Sequence, residues 1–358
     1  MSLSYSKLGE SDLNVSKICL GTMTFGEQTS KKEAFKIMDY AFERGINFFD
    51  TAEMYPVYPR ESTHGNSERI IGDWIKSKKN RDKVIIASKI ASSHPDGQGP
   101  TALKWIRGGG KNLKFDKKNL DQAINESLKR LNTDYIDLYQ LHWPERIVPM
   151  FGELEFQYDP KDIDWIPILE TLENLNEIIK KGKIRHFGIS NETAWGMSKF
   201  ISLAEKHGLS KPTTIQNAYS LLNRVYEISN SEISLRENIG LLAYSPLAGG
   251  RLSGKYLNNN KPKNARYTLW PGRFSRHLTE RGDLAVQKYD KLAKELEIDS
   301  VEMSYSFVLN KPFVKSCIMG VTSLFQLKKN LKCLEIELSQ EILKKIDNIH
   351  LSDPNPCV

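Results

Sequence analysis

The sequence predicts an α/β protein, a (β/α)8 TIM barrel with an N-terminal β-hairpin and long loops on the C-terminal face of the barrel. Two observations carry this prediction. Short apolar runs alternate with amphipathic helical stretches along the chain, a rhythm typical of parallel strands joined by helices. Titratable residues directly follow three of these runs, at Asp50, Lys89 and His142, and the strand ends of a parallel barrel meet on one face.

Eight strand–helix units follow the opening segment. Residues 4–15 are predicted to form the hairpin, and the first barrel strand follows at 17–20. The first helix spans 31–44, where apolar residues recur at helical spacing until Gly45 ends it. The further strands are predicted at 46–50, 84–89, 135–142, 184–189, 213–216, 241–244 and 315–319, and the further helices open near residue 67 and span 117–131, 166–181 and 194–207, with a helix before each of the last two strands.

Four residues at or just past strand ends, Asp50, Tyr55, Lys89 and His142, form a candidate acid–base site. A lysine beside a tyrosine favours the phenolate and lowers the tyrosine pKa from about 10, and Asp50 is placed to orient that lysine. Because an apolar pocket raises the pKa of a tyrosine, the effect of Lys89 must outweigh that of burial. Taken alone, Asp50 and Lys89 are equally compatible with a structural ion pair, and His142 with an ordinary strand-end histidine.

Length and composition favour a single domain over residues 1–358. A chain of this length with 39% apolar residues suits one α/β barrel. The net charge of +7 is scattered over helix faces, so no nucleic-acid partner is expected. The seven histidines show no H-x-H or H-E-x-x-H pattern, and no G-x-S-x-G elbow occurs, so neither a metal site nor a serine hydrolase is expected.

Cysteine usage and hydropathy indicate a cytoplasmic location without membrane contact. The N-terminus lacks a basic region followed by an apolar segment, and no apolar stretch approaches the ~18 residues of a membrane span. The cysteines lie far apart without a C-x-x-C pair and are expected to be buried, reduced thiols. They are Cys19, Cys317, Cys333 and Cys357.

Short motifs distributed along the chain carry a resemblance to a known family. In order and spacing they resemble the aldo-keto reductases, and the resemblance covers nearly the whole chain. Within that family the chain is most similar to the bacterial Tas-type NADP(H)-dependent members and, more distantly, to the potassium-channel β subunits. The motifs are F-D-T-A-E-M-Y at 49–55, G-N-S-E at 65–68, S-K at 88–89, D-Y-I-D-L at 134–138, H-W-P at 142–144, G-K-I-R at 182–185, G-I-S-N at 188–191, Q-N at 216–217, Y-S-P-L at 244–247, S-G-K-Y at 253–256 and G-V-T-S at 320–323.

The resemblance implies reversible reduction of a small aldehyde or ketone by NADPH. Tyr55 is the expected general acid, assisted by Lys89, which is paired with Asp50. His142 is expected to donate a hydrogen bond to the carbonyl oxygen of the substrate. The residues expected in the substrate pocket are Met54, Tyr55, His142 and Trp143.

The cofactor site is expected at the strand ends of the barrel, since no G-x-G-x-x-G motif follows any strand. In barrels the loop after the seventh strand and the helix start after the eighth hold phosphates, and G-V-T-S at 320–323 suits this role. The full set expected to contact the cofactor is Gly21, Thr22, Asp50, Ser190, Asn191, Gln216, Tyr244, Ser245, Pro246, Leu247, Gly249, Gly250, Lys255, Arg266, Arg273, Gly320, Thr322, Ser323, Gln326 and Asn330.

Several members of this set have roles implied by the resemblance. Tyr244 corresponds to a ring that stacks on the nicotinamide. The carboxamide is assigned to Ser190, Asn191 and Gln216, and the adenine to Gln326 and Asn330.

Basic residues are expected to select the cofactor. Lys255 and at least one of Arg266, Arg273 and Arg276 favour the extra phosphate of NADPH over NADH. Lys329 stands where many relatives have Glu beside the adenine-binding asparagine, which puts the adenine contacts in doubt.

Three connections, 92–116, 145–164 and 248–282, are longer than the ~2–6 residues usual for βα loops, and all leave the catalytic face. By the resemblance, the first two wall the substrate pocket and the third covers the cofactor. The third is expected to be mobile before cofactor binds, because its glycines and charges give it little to pack against. The alternative is ordinary surface insertion.

A rival hypothesis is a cofactor-binding regulator, in which bound NADPH reports redox state to a partner protein. It is suggested by the similarity to channel β subunits. All four catalytic positions are filled, which is compatible with both hypotheses.

Overall fold

Eight parallel strands close into a barrel in the computed structural model, which describes residues 3–93, 103–272 and 275–358. Each strand pairs with the next one along the chain, and the last closes against the first, with Cys317 opposite Ile18. The predicted (β/α)8 barrel is therefore confirmed. The barrel strands are β3 (Ile18–Gly21), β4 (Phe48–Asp50), β5 (Ile85–Ile90), β6 (Ile136–Leu141), β7 (Ile184–Ser190), β8 (Thr214–Ala218), β9 (Gly240–Tyr244) and β10 (Val314–Gly320).

A short hairpin covers the end of the barrel where the strands begin. Its strands, β1 (Tyr5–Lys7) and β2 (Asn14–Ser16), pair antiparallel. Leu8 and Leu13 between them are buried in one cluster with side chains of the barrel strands, among them Phe48. Because this end is filled with apolar side chains, the polar chemistry is found at the opposite face, where the strands end.

Helices pack around the barrel, and several begin at a capping side chain. Asp116 accepts a hydrogen bond from the backbone N–H of Asn119 at 2.8 Å, which satisfies one free N–H group of the first turn. Thr193 and Thr279 cap two later helices in the same way. The helices are α1 (Lys31–Glu43), α2 (Asn66–Lys78), α3 (Lys117–Leu131), α4 (Ile168–Lys180), α5 (Ala194–His207), α6 (Asn230–Arg236), α7 (Arg266–Leu269), α8 (Glu280–Glu295), α9 (Ser300–Leu309), α10 (Leu324–Asn330) and α11 (Gln340–Ser352).

The third long connection, 248–282, is more structured than the sequence suggested. It contains α7 and short 3₁₀ turns, for example at Leu257–Asn259. Tyr256 and Tyr267 lie with ring centroids 5.0 Å apart and form a small apolar cluster with Ala265. The expectation of a loop with little to pack against is therefore wrong for this part of the connection.

The cysteines are free and buried in the described chain, as the sequence predicts. Within residues 3–93, 103–272 and 275–358, no helix is both long and apolar enough to cross a bilayer. The same residues contain no group of three or more side chains arranged to hold a metal ion.

Candidate active site

A cavity with a volume of about 940 Å³ opens at the end of the barrel where the strands terminate. Its size suits a dinucleotide together with a small substrate. The predicted site residues that line it are Gly21, Thr22, Asp50, Met54, Tyr55, His142, Trp143, Ser190, Asn191, Gln216, Tyr244, Ser245, Pro246, Leu247, Gly249, Gly250, Lys255, Arg266, Arg276, Gly320, Thr322, Gln326 and Asn330.

Further residues that the sequence did not predict also line the cavity. Met23 and Val57 border the substrate end, Phe151 reaches in from the second long loop, and Tyr305 lines the wall from α9. Their side chains reach the cavity through packing between distant segments, which no local pattern reveals. The one signal for Phe151 in the sequence is its position in the second long loop, 145–164, which also contains Phe156 and Tyr158.

Asp50 lines the cavity, and Lys89, which is not among the described lining residues, contacts Asp50 from the interior. Lys89, fully buried, has its ammonium nitrogen 2.6 Å from Asp50 Oδ1 and 2.7 Å from the carbonyl oxygen of Thr51. The other Asp50 oxygen accepts hydrogen bonds from the side-chain amides of Gln216 at 2.8 Å and Gln140 at 3.2 Å. Burial acts to lower the pKa of Lys89, but Asp50 and other neighbours outweigh it and raise that pKa, so the lysine stays charged.

Tyr55 lies directly against this pair. The ammonium nitrogen of Lys89 is 4.8 Å from the centroid of the Tyr55 ring. Burial raises the pKa of Tyr55, and Lys89 opposes this only in part, so the net direction is upward. The expectation that Lys89 outweighs burial is wrong for this structure. A raised pKa keeps the hydroxyl protonated at neutral pH, the state required of a proton donor.

His142 faces Tyr55 from the end of β6. The two ring centroids are 5.7 Å apart in an edge-on arrangement. Burial, assisted by the charge of Lys89, lowers the pKa of His142 well below its ordinary value. The imidazole is therefore neutral, and its Nδ1 has no hydrogen-bond partner among the described residues. A neutral imidazole carries one N–H, which can be donated to a bound oxygen atom.

Polar side chains on the ends of β7, β8 and β9 are fixed by one another. The hydroxyl of Tyr244 donates to Asn191 Oδ1 at 2.5 Å, and Asn191 Nδ2 donates to the carbonyl oxygen of His142 at 2.8 Å. Ser190 Oγ donates to the carbonyl oxygen of Gln216 at 2.7 Å. Gln216 Nε2 donates to Asp50 and to Gln140, so the side-chain oxygen Oε1 of Gln216 is left to accept from another group.

The predicted cofactor residues near β10 differ in whether they line the cavity. Thr322 donates its backbone N–H to Gln326 Oε1 at 2.9 Å, which shapes the turn before α10. Ser323 caps α10 by accepting from the Gln326 N–H and is not among the described residues that line the cavity. Lys329, which departs from the family pattern, forms a 2.8 Å ion pair with Asp299.

The basic residues proposed to select the cofactor have different surroundings. Lys255 lines the cavity beside Gly250, and burial together with the charge of Arg266 lowers its pKa. Arg276 lies instead against the ring of Tyr244. Arg273 lies outside the described residues.

The first two long loops are fastened to the barrel by buried carboxylates. Glu53, two residues before Tyr55, forms a buried ion pair with Arg107 of the first loop and accepts a hydrogen bond from the N–H of Ala91 at 2.6 Å. Glu145, after β6, accepts hydrogen bonds from the backbone N–H groups of Phe115 and Ile166, which end the two loops.

Both loops contribute to an apolar wall around Tyr55. The wall is one cluster of buried side chains, and half-buried Trp105 packs against it. This placement agrees with the expected role of the two loops as walls of the substrate pocket. The buried members are Ala52, Met54, Tyr55, Ala91, Leu103, Ile106, Leu113, Trp143, Val148 and Met150.

Comparison with known proteins identifies the family. The aldo/keto reductase family model matches residues 17–350. The chain is 44% identical over 348 residues to the protein tas of Escherichia coli, covering 97% of this chain and 98% of that protein. It is 34% identical over 349 residues to the uncharacterized oxidoreductase YrpG of Bacillus subtilis, covering 97% and 96%. It is 29% identical over 359 residues to a probable voltage-gated potassium channel subunit beta of Oryza sativa, covering 98% of each. The chain therefore belongs to the aldo/keto reductase family of oxidoreductases.

Proposed function

We propose that the protein reduces aldehydes or ketones to alcohols with NADPH, using Tyr55 as the general acid. The observation that carries the proposal is the buried contact of Lys89 with both Asp50 and Tyr55, with neutral His142 beside them. A charged lysine, a protonated phenol and a neutral imidazole around one opening are the groups needed to polarise and protonate a carbonyl oxygen.

The cavity fits NADPH in size, polarity and charge. Amide and hydroxyl groups at the ends of β7 and β8 suit a carboxamide, and the face of Tyr244 suits a flat ring. Lys255 and Arg266 supply positive charge for phosphates, whereas the one carboxylate among the described lining residues, Asp50, is already paired with Lys89. When bound, NADPH supplies the hydride that reaches the carbonyl carbon.

The protein supplies the proton. Tyr55 holds it on the phenol oxygen and gives it to the oxygen of the substrate as negative charge develops there. Lys89 stabilises the phenolate left behind, and Asp50 holds Lys89 in place. His142 donates its N–H to the same substrate oxygen, and the apolar wall excludes water, which strengthens each of these contacts.

Steady-state oxidation of NADPH in the presence of a panel of aldehydes and ketones tests the proposal. We expect kcat of about 1 s⁻¹ or more on at least one compound, the lower end of the usual range for enzymes. Protein that binds NADPH tightly but turns over none of the panel would contradict carbonyl reduction as the function.

A second candidate function is a regulatory subunit that binds NADPH and acts on a partner protein. It is favoured by the end-to-end similarity to relatives named as potassium channel subunits beta. The same turnover measurement separates the two, because a regulator requires NADPH binding without sustained carbonyl reduction.

A further inference from the structure

Arg276 occupies an unusual position at the mouth of the cavity. It lies in the third long connection, and its guanidinium carbon is 5.8 Å from the centroid of the Tyr244 ring and 5.4 Å from that of Phe151. Phe151 in turn lies edge-on to Trp143 at 6.4 Å, and Trp143 lies 4.7 Å from His142. A row of rings thus leads from the catalytic histidine to this arginine.

No carboxylate of the described residues lies within ion-pair distance of the Arg276 guanidinium. Its one described hydrogen bond runs from Nε to Nε2 of His277 at 3.3 Å. His277 is buried, and burial together with neighbouring arginines lowers its pKa well below the ordinary value, so it is a neutral acceptor. Asp50, the carboxylate that lines the cavity, is bound to Lys89. A half-buried guanidinium without an acid is expected to bind an external anion.

The cofactor does not supply that anion under the proposed function. The nicotinamide ring, which is assigned to the face of Tyr244, bears no negative charge in NADPH. The phosphates are assigned to Lys255, Arg266 and the turn at Gly320, which line the same cavity. Arg276 therefore faces the ring that delivers hydride and the aromatic wall of the substrate pocket.

We infer that Arg276 binds the anionic end of the substrate, so that the preferred substrates are carbonyl compounds that also carry a carboxylate. This inference rests on the proposed function. The rings of Phe151 and Trp143 border the space between the guanidinium and His142, which favours a flat, unsaturated or aromatic spacer between the carboxylate and the carbonyl. Arginine suits the task because its planar fork matches a carboxylate with two hydrogen bonds.

Matched aldehydes test the inference. The compounds are para- and meta-carboxybenzaldehyde and their methyl esters, which share the ring and the carbonyl and differ by one charge. We expect kcat/KM for at least one acid to exceed that of its ester by about 10-fold to 100-fold, the effect of one charge-assisted hydrogen-bonded pair. No preference for either acid would overturn the inference.

Two variants test whether the side chain of Arg276 causes the preference for an acid over its ester. Arg276→Met keeps an unbranched stem against Phe151 and Tyr244 but removes the charge, and it should bring the acid-to-ester ratio of kcat/KM to about 1. Arg276→Lys should keep part of the preference. A preference that persists in Arg276→Met, or a loss of affinity for NADPH that is not seen for NADH, would overturn the inference, since the second result places Arg276 on a cofactor phosphate.

A binding measurement separates this inference from the proposed function. Benzoate is titrated into the complex of the protein with NADPH, and its Kd is followed by fluorescence. We expect Kd to rise about tenfold or more in Arg276→Met. If no aldehyde or ketone of the panel is reduced, the proposed function fails, and the benzoate result alone then decides the anion site. An unchanged Kd for benzoate in Arg276→Met would overturn the inference.

Discussion

The ammonium nitrogen of Lys89 lies 4.8 Å from the ring centroid of Tyr55, and both side chains are buried. Burial raises the pKa of Tyr55, and Lys89 opposes that rise. Under the proposed function, Lys89 is the cation that stabilises the phenolate as Tyr55 gives up its proton. Burial and Lys89 therefore shift the pKa of Tyr55 in opposite directions, and the balance between these two effects can be measured.

Replacing Tyr55 by Phe removes the proton donor and keeps the ring. We expect kcat for aldehyde reduction to fall by ~10²–10⁴, with the Kd for NADPH little changed. Stopped-flow or steady-state NADPH oxidation gives the first quantity, and fluorescence quenching gives the second. Near-normal turnover of Tyr55→Phe on an ordinary aldehyde would remove Tyr55 from the mechanism.

Replacing Lys89 by Met should move the pH profile of alcohol oxidation. In that direction Tyr55 must accept a proton, so the rate rises with pH until the phenol ionises. Because Lys89 lowers the pKa of Tyr55 relative to burial alone, its loss should shift the rise to higher pH and reduce the rate at pH 7. The exposed lysine variant Lys76→Met serves as the control. A profile unchanged in Lys89→Met would show that the lysine acts only in structure.

Replacing Lys255 by Met should reduce the selectivity for NADPH. A phosphate bound to one lysine or arginine is held by a contact of ~1.5–3 kcal/mol, which corresponds to roughly a 10-fold to 150-fold preference over NADH. The ratio of the Kd for NADH to the Kd for NADPH, measured at fixed salt, should fall in Lys255→Met or in Arg266→Met. Lys261→Met, an exposed lysine of the same connection, should leave the ratio unchanged. Equal constants in the wild-type protein would contradict the assignment.

Glu145 should make stability depend on pH. Burial raises its pKa from an ordinary 4.5 to about 7, so between these values the native protein binds more protons than the unfolded chain. The contribution of this group is therefore fully present at low pH and is lost as pH rises through about 7, by roughly 3 kcal/mol at most. Urea unfolding from about pH 5 to 8 should show a stability difference between wild type and Glu145→Gln that changes with pH. The exposed variant Glu337→Gln should give a flat difference, and a flat difference for Glu145→Gln would disprove the expectation.

The positions of the catalytic candidates follow from local sequence. Asp50 ends β4, Lys89 is the penultimate residue of β5, and His142 follows β6. The spacing of short apolar runs was therefore enough to predict that they reach one face. Helix α3 could equally be predicted from the sequence, because its apolar stripe and its Asp116 cap are both local signals.

The electrostatic state of the site was not accessible from sequence. Whether burial or Lys89 dominates the pKa of Tyr55 depends on how the two long loops pack over the ring, and that packing joins residues far apart in the chain. The direction in which Arg276 points has the same origin, since Phe151 and Tyr244 come from different strands and loops. Long-range contacts of this kind produce no periodic pattern in the amino-acid sequence.

Glu53 and Glu145 tie the two substrate walls to the barrel, and they do so through side-chain carboxylates that accept backbone or guanidinium hydrogens. The chain between those ties can change in length and sequence while the strand ends that carry the chemistry stay where they are. Under the proposed function, we expect the two loops to set the substrate range. A library confined to them, with both glutamates and Arg107 retained, should then reach new carbonyl compounds while the residues at the strand ends stay in place.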